Sequence, residues 1–272
     1  MNTRPSNIAK GAENLKQTPA HLYRYRSLKG DAAQYVATTI RMSTLYFAPP
    51  LSFNDPFDCR APYDFTANRQ EVERYFARAG QRQLPGASRK TRRGIVKERL
   101  NAYRRDPDIK QFVMERHRER VTEEVGMLCL TSKRNDILMW SHYADGHSGI
   151  CLEFDTKHEF FGRALPVRYL ERRPAINPFR QSYEEMLDAA ILTKAQHWEY
   201  EDEWRIIEYN SGPGIYGYPP AALTGIILGT RISDSQALEI ENLIKQERPP
   251  VKLYRAKSDD QLYAVGITQI YG

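Results

Sequence analysis

Apolar and polar positions follow each other most legibly between Met127 and Asp155, in MLCLTSKRNDILMWSHYADGHSGICLEFD. Met127–Ser132 is a short apolar run that predicts a strand. Asn135 or Asp136 can cap a helix carrying Ile137, Leu138, Met139, Trp140 and Tyr143, Gly146 can end it, and Gly149–Phe154 resumes as a strand. Upstream, Leu22, Arg24 and Arg26 alternate with Tyr23, Tyr25 and Ser27, which predicts a strand over His21–Leu28. Asp31–Met42 reads as a helix, and Leu45–Ala48 as a strand stopped by Pro49-Pro50. In Ser52–Asp58, Asn54 and Asp55 before Pro56 predict a turn held by side-chain-to-backbone bonds.

Arg69–Glu124 reads as helices, with breaks at Leu84–Ser88 and near Asp106-Pro107. Val72, Tyr75 and Phe76 share one helical face. Downstream come a strand at Ala164–Leu170, a helix at Tyr183–Lys194, a loop at Ser211–Pro220, a buried strand at Leu223–Gly229, a helix at Ser233–Gln246, and strands at Val251–Ala256 and Leu262–Ile267. HWEYEDEWRIIEY reads as one strand. Trp198, Tyr200, Asp202, Trp204 and Ile206 fall on one face; Glu199, Glu201, Glu203, Arg205 and Ile207 fall on the other. Carboxylates so aligned repel unless a cation or ligand lies between them. Strands and helices mix without strict βαβ alternation, which predicts an α+β fold. The expected organisation is a loose tail over residues 1–20 and one domain over 21–272, with a helical insertion at about 69–124.

Hydrophobic residues make up 41% of the 272, enough for a sizeable core. Cys59, Cys129 and Cys151 form no close pair and read as buried thiols of a reducing compartment. No apolar run is long enough to span a membrane, and the polar N-terminus lacks a signal-peptide core, so a cytoplasmic protein is expected. Charge changes the picture more. Arg69–Arg120 holds 16 Lys and Arg against 7 Asp and Glu, within a chain whose net charge is only +6. Such runs are usually solvated helical faces. Gathered on one segment, however, they also suit phosphate contacts, and Arg89, Lys90, Arg92 and Arg93 are the candidates for gripping RNA or DNA.

Familiar site patterns are absent: no phosphate loop, dinucleotide fingerprint, paired Cys-x-x-Cys, HExxH or GxSxG occurs. His142 and His147 have no Cys or Asp at zinc-ligand spacing. What remains is Arg24, Ser132, His142, a set of hydrogen-bonding aromatics and the late Glu201-x-Glu203. This set suits binding a large polar ligand and stabilising a developing positive charge without a metal.

LYRYRSL, PLSFNDPFD, CLTS, MWSHYADGHSGICLEFD, KAQHWEYEDEWRI and IILG, in that order from Leu22 to Gly229, resemble a widespread bacterial family of unknown function. More distantly, the layout is similar to ADP-ribosyltransferases of the toxin and phage-defence type. That resemblance implies a mixed, mainly antiparallel split sheet with NAD as substrate in a central cleft, here with a basic helical insertion. It implies Arg24 or Tyr25 as the early-strand residue, and Arg24, Asn54, Ser132, Ser141 and His142 around NAD, with Tyr143 or Trp140 stacked on nicotinamide. Glu203 would stabilise an oxocarbenium-like transition state and Glu201 would orient or deprotonate the acceptor. It further implies a nucleic-acid or protein target and an antitoxin partner. Two other classes stay open: a metal-dependent nuclease using Asp55, Asp58, Glu153, Asp155 and Lys194, and a non-enzymatic nucleic-acid-binding module.

Overall fold

The computed structural model describes residues 16–106, 108–247 and 251–271. In chain order the strands are β1 (His21–Arg26), β2 (Thr44–Phe47), β3 (Gly126–Thr131), β4 (Ile150–Asp155), β5 (Leu165–Pro166), β6 (Arg168–Leu170), β7 (Thr193–Ala195), β8 (Glu203–Glu208), β9 (Gly214–Gly217), β10 (Leu223–Leu228), β11 (Lys252–Ser258) and β12 (Val265–Tyr271). The helices are α1 (Asp31–Met42), α2 (Arg69–Gln83), α3 (Arg89–Arg105), α4 (Asp108–Thr122), α5 (Ile137–Tyr143), α6 (Glu159–Gly162), α7 (Tyr183–Ile191) and α8 (Asp234–Glu247). The chain is α+β. None of its described helices is long and apolar enough to cross a membrane.

It divides into two compact units. A sheet unit takes in the described residues of 16–49, Val125–Tyr169 and those from 196 onward. Its open, mixed sheet of eight strands has the order β12-β11-β10-β4-β1-β3-β8-β5. Only β10 and β11 run parallel; the other neighbours are antiparallel. Alternation splits the side chains between two cores. On one face Leu22, Leu128, Leu152, Trp204 and Ile226 pack with Val36 and Ile40 of α1 and Ile240 and Ile244 of α8. On the other, Tyr23, Tyr25, Cys151 and Ile227 pack with Met139, Trp140 and Ala144 of α5 and the segment after it.

The helical unit comprises Pro50–Glu124 and Leu170–Ala195. The helices predicted at about 69–124 therefore do not form a body alone: they share it with a later segment. Val72 and Phe76 of α2 and Leu100 of α3 bury against Phe179 from that segment. Asn177 fixes it by donating to the Thr66 carbonyl at 2.9 Å, and Ile176 bridges to Tyr63. Asn68 and Glu71 make a reciprocal capping box on α2, and Ser88 caps α3, as expected where an oxygen-bearing side chain precedes a helix.

Most predicted elements recur within a residue or two. Four differ. Ala164–Leu170 is interrupted at Val167, which separates β5 from β6. The Ser211–Pro220 loop contains β9, which pairs with β2. The final strand begins at Val265 rather than Leu262. The tail expected through residue 20 is tied at its end: the Thr156 hydroxyl donates to the Pro19 carbonyl at 2.6 Å, and Lys16 pairs with Asp202 at 2.5 Å. Residues 1–15 of that tail lie outside the described residues.

Candidate functional site

The site is built on the face of β1 that carries Tyr23 and Tyr25. Adjacent strand residues face opposite ways, so Arg24 shares its side with Leu22 and with its cross-strand partner Leu152. Its guanidinium donates to the Cys129 carbonyl at 3.1 Å. Desolvation, with repulsion from Arg26, lowers its pKa to about 10. Grouping Arg24 with Trp140 and Tyr143 at one ligand is thereby corrected: alternation sends it to the other face. Between the alternatives Arg24 and Tyr25, only Tyr25 lies on the aromatic side.

Asp136 caps α5, its Oδ1 accepting the amides of Leu138 and Met139. The helix then seats Trp140 wholly inside the core, with no exposed surface. Its indole N–H donates to the Arg134 carbonyl at 3.2 Å, and Tyr25 meets its ring edge-on at 4.9 Å between centroids. Tyr25 in turn donates to the Lys133 carbonyl at 3.0 Å. The expectation that Trp140 stacks on a nicotinamide is corrected, since a fully buried indole offers no face to a ligand. Trp140 and Tyr25 instead brace the loop 133–136 from beneath.

Tyr143 and His142 follow on the last turn. The Tyr143 hydroxyl donates to Glu201 Oε1 at 2.6 Å, and His142, exposed, lies 6.2 Å from the Tyr200 ring. Ser141, also exposed, bonds His147 Nε2 at 3.1 Å. Asp145, Gly146 and His147 all have left-handed φ, of 49°, 59° and 71°, a conformation that non-glycine residues hold only where the surroundings dictate it. Here they do. A Cβ on Gly229 would lie 2.2 Å from the His147 carbonyl oxygen, so backbone packs directly on backbone. Desolvation, then the Arg231 charge, lowers the His147 pKa.

The late carboxylates are arranged differently from the single strand expected. Gln196–Glu201 is a 3₁₀ turn, Asp202 has a φ of 41°, and β8 starts only at Glu203. The alternation read across Trp198–Ile207 therefore holds only from Glu203 onward. Glu201 and Glu203 are both buried. Arg205, fully buried, grips Glu203 with two parallel bonds of 2.7 and 2.8 Å. Of the cation or ligand that the repulsion argument called for, Arg205 is the cation, and it lies in the core. Ser132 donates its hydroxyl to Asp202. Desolvation raises the Asp202 pKa, but bonds from Lys16 and Ser132 outweigh it, and the net shift is downward.

Across the sheet, Glu153, Tyr23, Thr131 and Glu203 occupy one lateral row of β4, β1, β3 and β8. Tyr23 bonds the Glu153 carboxylate, and desolvation followed by that charge raises the Tyr23 pKa. Thr224 donates to Glu153 Oε1 at 3.0 Å, and Arg134 stands 3.7 Å away. Sequence reasoning gave no site role to Tyr23, Arg134 or Thr224. Only the identical phase of Tyr23 and Tyr25 pointed to the first; strand order, not spacing, brings in the others. The arrangement can hold a polar ligand against hydroxyls and buried negative charge.

Asn54 belongs to the helical unit, exposed in the predicted turn, where the Phe57 amide donates to Asp55 Oδ1 at 2.8 Å. Of the nuclease candidates, Lys194 pairs with Asp58 at 3.9 Å inside the same unit. Among the described residues no three His, Cys, Asp or Glu side chains converge in a way that could hold a metal ion.

In that unit α2 and α3 enclose a groove of about 970 Å³. Arg89, Arg92 and Arg93 line it, and Lys90 does not. Lys97 from α3 and Arg69 and Arg74 from α2 complete it; sequence reasoning passed over the last two because the second wall comes from a different helix.

Residues 139–206 match a family described as protein of unknown function (DUF2971). The matched span takes in both the Trp140–His147 segment and Glu201–Arg205, whereas LYRYRSL and PLSFNDPFD lie outside it. No curated protein and no solved structure matches the chain.

Proposed function

We propose that the sheet unit transfers ADP-ribose from NAD. The single observation that supports this most is the Tyr143–Glu201 contact beside the clamped Glu203, which sets a stacking ring and buried carboxylates on one face. Loss of nicotinamide breaks the N-glycosidic bond, and the leaving base takes the bonding electrons. Positive charge then develops on the ribose, and a carboxylate held away from water stabilises it more strongly than one in bulk solvent. The acceptor's nucleophilic atom bonds to the ribose carbon, and its proton passes to Glu201. Glu203, whose charge Arg205 balances, fixes the start of the strand beside Glu201, a correction of the sequence expectation that Glu203 itself stabilises the oxocarbenium-like state. Tyr143 and Tyr200 are the rings available for stacking, with Tyr25 and Trp140 as the scaffold behind them. Ser132 and Ser141 offer hydroxyls to ribose or phosphate.

The reading also rests on the likeness of motif order to the ADP-ribosyltransferases. The test is therefore direct. Purified protein is incubated with NAD carrying a label on the adenylate, with and without cell extract, and both free nicotinamide and labelled polymer are measured. Nicotinamide release by the wild type, reduced by roughly 10²-fold in Glu201→Gln, is the expected result. A wild-type protein that neither releases nicotinamide nor labels any polymer overturns the proposal.

A further inference from the structure

The helical unit carries a second feature that the chemistry of the sheet face does not use. The groove between α2 and α3 is lined by Arg69, Arg74, Arg89, Arg92, Arg93 and Lys97 against one acid, Glu73. Glu73 is already engaged by Arg69 at 2.7 Å. Among the described residues, Arg89, Arg92, Arg93 and Lys97 have no carboxylate partner. On α3, Arg89, Arg93 and Lys97 are four residues apart and therefore recur about every 6 Å along one stripe. The floor is small and apolar: Ala77, Val96 and Leu100.

Arg89 also sits where a helix tolerates a cation least. The N-terminus of α3 is the positive end of its dipole, its first turn holds no acidic residue, and Arg89 and Lys90 open it. A sequence selected for helix stability alone would place Asp or Glu there. Ser88 caps this end but brings no negative charge, and a cost left unrelieved in this way suits a surface kept for another purpose.

We propose that this groove binds the phosphate backbone of nucleic acid, without regard to base sequence. The charge repeats along a line, as phosphates do. Five of the six cations are arginines, whose planar fork suits phosphate oxygens in pairs. The lining contains no aromatic residue, so it lacks both the stacking platform of a single-strand grip and the anchors of a protein interface. An acidic protein is thus the weaker fit. The proposal stands whether or not the sheet unit consumes NAD.

The experiment measures binding of a short mixed-sequence fluorescent duplex to the full chain across salt, and compares two charge-matched triple variants. One is Arg89→Glu/Arg92→Glu/Arg93→Glu in the groove. The other is Arg104→Glu/Arg105→Glu/Lys110→Glu, on the same segment but outside the groove lining. Wild-type affinity should fall steeply between about 50 and 200 mM salt, as four or more phosphate contacts require. The groove variant should lose at least about 30-fold at the lower salt and flatten the slope, while the control loses only a few-fold. Thermal melting supplies the readout that a structural role would not give: the groove variant should melt no lower than wild type, because acid at the start of α3 relieves the dipole conflict. Equal loss in both variants, failure of wild type to bind, or equally tight binding of a poly-glutamate chain would each overturn the proposal. If the glutamate variant fails to fold, Arg89→Gln/Arg92→Gln/Arg93→Gln takes its place with the same expected direction.

Discussion

Arg205 and Arg93 carry the same side chain under opposite conditions. Arg205 has no exposed surface and both its bonds to Glu203 are near ideal; Arg93 lies open on a groove wall and meets no carboxylate among the described residues. The contrast extends to the two units. The sheet unit buries both partners of Glu203–Arg205 and sets Glu153 inside with the exposed Arg134 beside it. The helical unit buries one pair, Lys194 with Asp58, and leaves most of its cations outside. A buried pair fixes geometry, because moving either partner strands a charge in a medium that solvates it poorly. An exposed, unpaired cation fixes nothing and remains available to an external anion. The first arrangement suits precise chemistry and the second suits capture.

The largest effect should come from breaking the buried pair. Arg205→Met should cost about 3–5 kcal/mol, since Glu203 is then left inside without its fork. Glu203→Gln should cost nearly as much, so its activity must be measured only on the folded fraction. Replacing both together, as Glu203→Leu/Arg205→Met, should recover much of that loss while leaving turnover abolished. Urea unfolding of the three variants checks the ordering. A double variant less stable than either single one would show that the pair does more than neutralise itself.

A smaller effect separates packing from ligand contact. Tyr143→Phe removes the bond to Glu201 and should cost about 1.5–3 kcal/mol, the range for a hydrogen bond to a charged group. It should reduce NAD turnover beyond what the loss of folded protein explains, if Tyr143 and Glu201 act together on the ligand. Matched losses of folded fraction and turnover would reduce the contact to scaffolding. Smaller again is Asp136→Ala, which deletes the cap of α5 and should cost about 1 kcal/mol.

Much of this contrast was legible in the sequence. The boundaries of α1, a cap at Asn135 or Asp136, the Asp55 turn and the confinement of positive charge to Arg69–Arg120 all follow from local chemistry; the structure reproduces the first and third and takes Asp136 as the cap. The faces of β1 were legible too, but not which face meets α5, because that is decided by strands far away in sequence. The late carboxylates misled for a different reason. Period-two alternation continues on paper through Asp202, whereas a left-handed φ at that residue breaks the phase and lets Glu201 turn toward Tyr143. Nothing in the spacing of Glu203 and Arg205 announced that the pair is buried. The second wall of the groove was hidden likewise: Arg69 and Arg74 look like ordinary solvated positions until α2 is laid against α3.

The smallest expected effect concerns acid. Desolvation, with Arg231 adding to it, lowers the His147 pKa from its ordinary 6.5. The folded state therefore prefers the neutral ring, while the unfolded chain takes up a proton from about pH 6.5 downward. By linkage, this contribution to stability is complete above the unfolded pKa and is lost as pH falls through that value toward the lowered folded one. The loop Asp145–His147 should loosen over this window, and hydrogen exchange at the Arg231 amide, which donates to the His147 carbonyl at 3.0 Å, should report it. His147→Asn is the informative variant, because asparagine tolerates the left-handed backbone that His147 occupies, so the loop can keep its course without a titrating ring. The variant should flatten the fall in melting temperature between about pH 7 and 5.5 without abolishing the fold. An unchanged slope would assign the acid sensitivity elsewhere and leave the Ser141–His147 bond as a static brace.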